Sequence, residues 1–154
     1  MNLTTLANVF IWDSFVGTVA WASDMHVAFF EYSDNIKKQN LELAPLMMPI
    51  SRQQIYSFSG LSEETFQGLP GLLADSLPDY FGNAVINAFL RAQGRPENSF
   101  DPVALLYREA RHGRIGIQAG PVTGEEIAET QCQRAFAAGH RDYAETGIVQ
   151  SFSG

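Results

Sequence analysis

Cysteine, histidine and long apolar runs are the scarce features of this sequence. A single cysteine, Cys132, excludes a disulfide within the chain and a zinc site built from several cysteines, so we expect a reducing, cytoplasmic environment. No stretch reaches the roughly 18 consecutive apolar residues that a membrane span requires. The three histidines, His26, His112 and His140, have no partner at metal-ligand spacing, and we expect neither a metal nor another cofactor.

Basic residues are also few. The chain has 10 Lys and Arg against 17 Asp and Glu, and its formal net charge is -7. Proteins that hold nucleic acid or anionic lipid by charge need a positive surface, so we predict no direct nucleic-acid partner and no membrane partner. The length of 154 residues and the 45% hydrophobic content fit one domain with a sizeable core.

The N-terminal part of the chain has the pattern of β-strands. The segments "VFIW", "FVGTVAW" and "HVAFFEY" are rich in β-branched and aromatic residues, and short polar turns at Asp13-Ser14 and Ser23-Asp24 separate them. This pattern predicts a short antiparallel meander over residues 6–32. Gly17 indicates a bulge or a close approach of two backbones. After "LELAPLMMP", which is predicted to be irregular, "QQIYSF" predicts one more short strand.

Helical spacing replaces the strand pattern after residue 61. Ser62 is a predicted N-cap of a short helix that ends near Gly68, and apolar spacing predicts a second helix over about residues 78–93. Asp101 and Pro102 are typical of the start of a third. Strands followed by helices indicate an α+β fold, a small antiparallel meander followed by about three helices.

The glycine-bounded stretch "GLLADSLPDYFG", residues 71–82, has two interpretations. In the first, Asp75 and Ser76 cap the helix that Pro78 opens, and Asp79 lies in its first turn, where the helix dipole favours an acid. In the second, Asp75 and Asp79 perform acid–base catalysis. That chemistry needs a cleft and a partner histidine, metal or nucleophile, and the sequence supplies none nearby, so the first interpretation is favoured.

Several of these segments together resemble the N-terminal subdomain of the HipA family of toxin kinases. The resemblance covers about residues 8–106 and includes "VFIWDSFVGTVAW", "LELAPLMMPI", "LPGLLADSLPDYFG", "LRAQGR" and "FDPVALL". Its most specific piece is the stretch in which a short helix, "LPDxFG" and a second helix occur together. The resemblance implies a small β-rich unit that packs on a Ser/Thr kinase core. The residues expected to contact that partner are Leu69, Pro70, Leu73, Asp75, Ser76, Leu77, Pro78, Asp79 and Phe81.

The resemblance also implies that this region performs no catalysis, because the family's catalytic residues and ATP loop belong to the kinase core. The core in turn partners a HipB-like DNA-binding antitoxin, which would be an indirect partner of this chain. Two functions fit: a separate module that binds and restrains a HipA-type kinase, and a truncated HipA toxin without kinase activity. The triplet His140-Arg141-Asp142 imitates a kinase catalytic loop. Such a loop needs an asparagine five residues after the aspartate, and Gly147 stands there.

The tail, residues 107–154, departs from the family pattern. HipA-like chains continue with a motif such as "GxRGMGALxFxPA", whereas this chain reads "YREARHGRIGIQAGPVTG". Synonymous codons exist for residues 111–121 that give "GMGALGFKPA" when they are translated one base later. This recovered motif favours a frameshifted tail. The alternative is a natural helical extension, which the helix-forming residues of "GEEIAETQCQRAFAAGHRDYAET" would allow.

Overall fold

An antiparallel β-sheet forms the centre of the protein in a computed structural model, which describes residues 3–11, 14–50, 55–78, 80–110 and 117–121. Its strand order is β4-β3-β2-β1-β5. The strands are β1 (Leu3–Ile11), β2 (Ser14–Ala22), β3 (Val27–Tyr32), β4 (Ile55–Tyr56) and β5 (Ile117–Pro121). The first three strands form the predicted meander, and β4 lies within the predicted "QQIYSF" strand.

Short helices follow the meander, and the predicted α+β class is confirmed. In the described part of the chain they are α1 (Asp34–Gln39), α2 (Glu63–Phe66), α3 (Gly71–Ala74), α4 (Tyr80–Ala92) and α5 (Pro102–Ala110). The sequence patterns did not predict α1, which begins where the Ser33 hydroxyl accepts a hydrogen bond from the N–H of Ile36 at 3.3 Å. None of the helices in the described ranges combines the length and the apolar character that crossing a membrane requires.

Gly17 on β2 combines both features predicted for it. Val9 pairs with Gly17 and the next residue of β1, Phe10, pairs with Phe15, so Val16 is an extra residue and forms a bulge. A Cβ atom at Gly17 would lie 2.2 Å from the backbone oxygen of Glu31 on β3. Glycine is therefore required here because the two backbones approach too closely for any side chain.

The main hydrophobic core covers one face of this sheet. Alternate residues of paired strands share a face, and Val19 opposite Phe30 and Trp21 opposite Ala28 are buried there. Helices and loops complete the cluster from above the sheet. Their buried contributions are Ile36, Met48, Leu69, Leu73, Val103 and Leu106.

Helix α5 begins as the sequence predicts. Asp101 precedes it, and its Oδ1 atom accepts a hydrogen bond from the N–H of Ala104 at 2.9 Å. The other carboxylate oxygen, Oδ2, accepts a hydrogen bond from the Thr5 hydroxyl on β1. One aspartate thus satisfies an N–H at the helix start and ties α5 to the sheet.

Strand β5 lies beyond the predicted end of the family resemblance. Its residues pair antiparallel with β1, from Ala7 opposite Pro121 to Ile11 opposite Ile117. Helix α5 also extends past residue 106 and contacts β5. The first part of the predicted tail therefore joins the sheet, while residues 122–154 lie outside the described part of the chain.

The outer edge of β3 is covered by two short pieces of chain. Strand β4 pairs with Phe30 and Glu31. Nearer the start of β3, the N–H of Ala28 donates a hydrogen bond to the carbonyl oxygen of Gly68 at 2.8 Å. Gly68 has a φ of +75°, and a Cβ atom there would lie 2.5 Å from the backbone oxygen of His26. The loop between α2 and α3 is thereby fixed against the sheet.

Candidate docking surface

Three of the residues predicted to contact a partner lie inside the protein. Leu69 and Leu73 are fully buried in the main core, and Pro70 between them is also buried. These side chains fix the α2–α3 corner against the sheet. A partner could not touch them without opening the core, so their role in this structure is to support the surface above them.

The other predicted contact residues lie nearer the surface. Asp75 is exposed, and Ser76, Leu77 and Pro78 are half-buried. Asp79 lies outside the described residues, as does the side chain of Phe81. Contact of this stretch with a partner stays a prediction.

The predicted capping role of Asp75 and Ser76 is wrong. Asp75 is the C-terminal cap of α3, where its N–H donates to the carbonyl oxygen of Gly71 at 3.1 Å. Helix α4 begins at Tyr80, too far along the chain for either residue to be its N-cap. The two residues belong instead to the turn that closes α3. The described residues contain no group of three or more His, Cys, Asp or Glu side chains arranged to hold a metal ion.

An apolar groove of about 360 Å³ opens beside this turn. Three separate segments line it: residues 44–48, residues 58–66 and the first residues of α3. The principal side chains are those of Met47, Met48, Phe58, Leu61, Phe66 and Leu72. We call this feature the apolar groove.

Buried hydrogen bonds hold the methionine wall of the apolar groove. The hydroxyl of Tyr32 on β3 donates to the carbonyl oxygen of Met48 at 3.0 Å, and the hydroxyl of Tyr56 on β4 donates to that of Pro49. The N–H of Met48 donates to the carbonyl oxygen of Ala44 at 2.8 Å. The loop has no regular secondary structure, yet two tyrosines anchor it to the sheet.

The opposite wall is held by a tight backbone corner. The N–H of Phe66 donates to the carbonyl oxygen of Ser62 at 2.8 Å, and the N–H of Leu69 donates to that of Phe66 at 2.9 Å. Between them Gln67 has a left-handed conformation with a φ of 50°. Because Leu69 is buried in the core, Phe66 is presented to the groove from a fixed position.

Exposed apolar side chains continue from the groove onto the surface. Met47 is 58% exposed and its neighbour Leu46 is 91% exposed, and Leu41 is exposed earlier in the same loop. Isolated exposed apolar residues are common on soluble proteins. Here Met47 also lines an apolar cavity, and Leu46 is its neighbour in the chain; exposed apolar groups gathered at a cavity are typical of interaction sites.

Acidic residues lie in the same chain segments as the lining of the apolar groove. Glu63 and Glu64 are exposed on α2 between the lining residues Leu61 and Phe66. Glu42 lies beside the methionine wall, where its Oε2 atom accepts a hydrogen bond from the N–H of Ile50 at 3.2 Å. Within residues 41–50 and 55–78, the described segments that form this part of the protein, there is no Lys, Arg or His. The charged side chains of these two segments are therefore all acidic.

The protonation state of Tyr32 matters because its hydroxyl is the donor that holds the loop at Met48. Burial, with smaller contributions from the nearby Tyr56 and Glu42, raises the pKa of Tyr32 from 10.0 to about 12. The phenol stays protonated at physiological pH and remains a donor to Met48.

A second, more polar cavity of about 260 Å³ lies between α4 and α5. Its lining includes Asn83, Asn87 and Asn98. Asn87 and Asn98 bond each other twice: the Asn87 amide donates to Asn98 Oδ1 at 3.2 Å, and the Asn98 N–H donates to Asn87 Oδ1 at 3.0 Å. These bonds join α4 to the loop before α5. The asparagines in the lining of this cavity therefore have a structural role.

Sequence reasoning missed the apolar groove, although the prolines and methionines of "LELAPLMMP" were a signal of an irregular apolar segment.

Comparison of the sequence with models of known protein families gives a match. A family model described as the HipA N-terminal domain matches residues 7–116, which include the second half of β1, all the elements from β2 to α5 and the residues of the groove. No curated protein and no solved structure gives a significant match to the chain.

Proposed function

The chain belongs to the family of HipA N-terminal domains, and from this premise we propose that it is a non-catalytic docking module of a bacterial toxin–antitoxin system. It binds a HipA-type Ser/Thr kinase core and restrains it. A HipB-like DNA-binding antitoxin is then an indirect partner, reached through the kinase. This proposal places the protein in the cytoplasm.

The observation that carries the proposal is the apolar groove with the exposed apolar residues beside it. A domain that packs on a kinase core needs an apolar surface outside its own core, and such a surface remains when the two are separate chains. Leu46 and Met47 provide this surface on a loop that Tyr32 and Tyr56 fix to the sheet. A pre-formed surface lowers the entropy cost of binding.

The proposed lack of catalysis rests on the matched region. It corresponds to the N-terminal domain of the family and not to a kinase domain. Asp75, one of the two carboxylates considered for acid–base chemistry, is exposed at the end of α3.

Co-expression tests the proposal directly. A HipA-type kinase core without its own N-terminal domain is expressed with and without this chain, and both growth and co-purification are measured. We expect this chain to co-purify with the core and to relieve the growth defect that the core causes. Absence of binding would refute the docking function. ATP-dependent phosphorylation by this purified chain alone would refute its non-catalytic character.

A second candidate function is that of a truncated, inactive HipA toxin whose reading frame has shifted. The observation that favours it is the family motif "GMGALGFKPA", which a one-base shift recovers from codons compatible with residues 111–121. Sequencing the coding DNA tests it. If the shifted frame continues into a HipA-type kinase, the chain is the product of an interrupted gene; if it does not, the docking module stands alone as the proposal.

A further inference from the structure

We propose that the apolar groove binds an apolar segment of the kinase core that is flanked by lysine or arginine residues. This inference rests on the proposed function and specifies the contact surface and the chemistry of the partner segment. The groove volume of about 360 Å³ lies at the lower end of the range for ligand pockets, about 300–1,000 Å³, which suits a few side chains of a peptide segment.

The walls of the groove determine the apolar part of the segment. Met47 and Met48 form one wall, and Phe58 and Phe66 contribute aromatic rings to the others. Methionine side chains are flexible and polarisable, and they adapt to aliphatic and aromatic partners alike. The Tyr32 hydroxyl fixes the backbone at Met48, whose side chain is buried, so the groove keeps its position while the exposed side chain of Met47 adjusts.

The charges around the groove determine the flanks of the segment. Glu63 and Glu64 are exposed on α2, which also carries the lining residue Phe66, and Glu42 bonds the loop that carries Met47; the described segments 41–50 and 55–78 carry no positive side chain. An acidic partner segment would be repelled, whereas lysine or arginine on either side of an apolar centre would meet carboxylates. The same charges disfavour a second copy of this chain, whose net charge is -7.

Methionine methyl NMR provides the first test, because the chain has only four methionines. With the methyl groups labelled, the signals of Met47 and Met48 report on the groove, and that of Met25, which is exposed but does not line the groove, is an internal control. Two probes are titrated: the kinase core, and a synthetic peptide with a Leu-Leu-Phe centre between pairs of lysines. A peptide with glutamates in place of the lysines is the charge control.

We expect both the kinase core and the lysine peptide to shift the signals of Met47 and Met48 and to leave that of Met25 unchanged. The glutamate peptide should bind at least about tenfold more weakly. Shifts with the lysine peptide but no binding of the kinase core would refute the proposed function and support the chemistry of the groove. Binding of the kinase core without a change in the signals of Met47 or Met48 would refute the groove as the contact surface but would not contradict the docking function.

Variants with matched controls provide the second test. Met47→Glu places a charge in the groove without disturbing the core and should weaken binding of the kinase core by about tenfold or more. Val85→Glu on α4 is the control, because Val85 is 54% exposed against 58% for Met47 and lies outside the groove. Equal affinity of the two variants would overturn the inference.

Reversing a charge tests the acidic flank. Glu64→Lys should weaken binding and reduce its dependence on salt, while Glu97→Lys, which changes an exposed acid outside the groove, should leave both unchanged. Equal effects of these two variants would overturn the charge requirement.

Light scattering of the free protein tests for other occupants of the groove. A dimer that Met47→Glu converts to a monomer would show that a second copy fills the groove. Lack of response of Met47 and Met48 to both probes in a monomer would show that neither the kinase core nor the lysine peptide enters the groove, and either result overturns the inference.

Discussion

Replacing Gly17 by alanine tests the packing of the sheet at the point where two strands come closest. The new Cβ atom would lie 2.2 Å from the backbone oxygen of Glu31, well inside van der Waals contact. Gly17 does not have a positive φ, so the change introduces no backbone strain of its own. The destabilisation of Gly17→Ala therefore measures the steric conflict, less the small stabilisation that any Gly→Ala change gives through the unfolded chain.

The size of the effect follows from the atom that the methyl group meets. Overpacking usually costs about 1–3 kcal/mol, and a flexible neighbour can reduce that cost by moving. Here the neighbour is a carbonyl oxygen on β3, a strand paired with β2 along its whole length, so we expect the upper part of the range, about 2–3 kcal/mol. For a chain of this size, this lowers the melting temperature by about 4–12 °C.

Urea unfolding followed by tryptophan fluorescence measures this loss, since Trp21 is buried on β2. Gly60→Ala is the control, because a Cβ atom at Gly60 would have no neighbour within 4 Å. We expect the control to be neutral or stabilised by about 0.4–1 kcal/mol through the unfolded chain. If the free energy of unfolding of Gly17→Ala lies within about 0.5 kcal/mol of that of the parent, and its slope against urea concentration is unchanged, the close approach of β2 and β3 is refuted.

Three further predictions concern the core, a helix start and a buried phenol. Leu73→Ala removes a fully buried side chain and should lower the free energy of unfolding by about 2–5 kcal/mol, whereas Leu73→Met should cost less than about 1.5 kcal/mol; equal losses would contradict the packing described. Asp101→Ala removes the acceptor for the Ala104 N–H and the Thr5 hydroxyl and should cost about 1–2 kcal/mol in thermal unfolding. Asp101→Asn should retain most of that stability, and a loss as large as that of alanine would count against the cap. Because burial raises the pKa of Tyr32 from 10.0 to about 12, its stabilising effect is complete below pH 10 and is lost as the pH rises to about 12. Tyr32→Phe should remove that part of the pH dependence, and an unchanged alkaline slope would show that Tyr32 is not its source.

The meander could be predicted from the sequence because each strand carries its own signal. Val9, Val19 and Phe30 lie in segments dense in β-branched and aromatic residues, and the turns between them are polar. Asp101 and Pro102 likewise predicted the start of α5, because capping depends on neighbours in the chain. Local chemistry was sufficient in both cases.

The features that the sequence did not predict depend on contacts between distant residues. Strand β5 contains Gly120 and Pro121, which are poor strand formers, and exists through its pairing with β1. Helix α1 has one buried residue, Ile36, and too short an apolar pattern to recognise. The apolar groove is assembled from three segments, and the sequence alone does not show that Met47 and Leu72 share a cavity.

The loop that carries Gly68 also affects how copies of this protein behave towards one another. Strand edges with free N–H groups can pair with the edge of another molecule and start aggregation. Strand β4 covers only the last part of β3, and the hydrogen bond from Ala28 to Gly68 occupies an outward N–H next to it. The left-handed backbone at Gly68 lets the chain reach this edge, so a glycine far from β3 in sequence limits sheet growth between molecules.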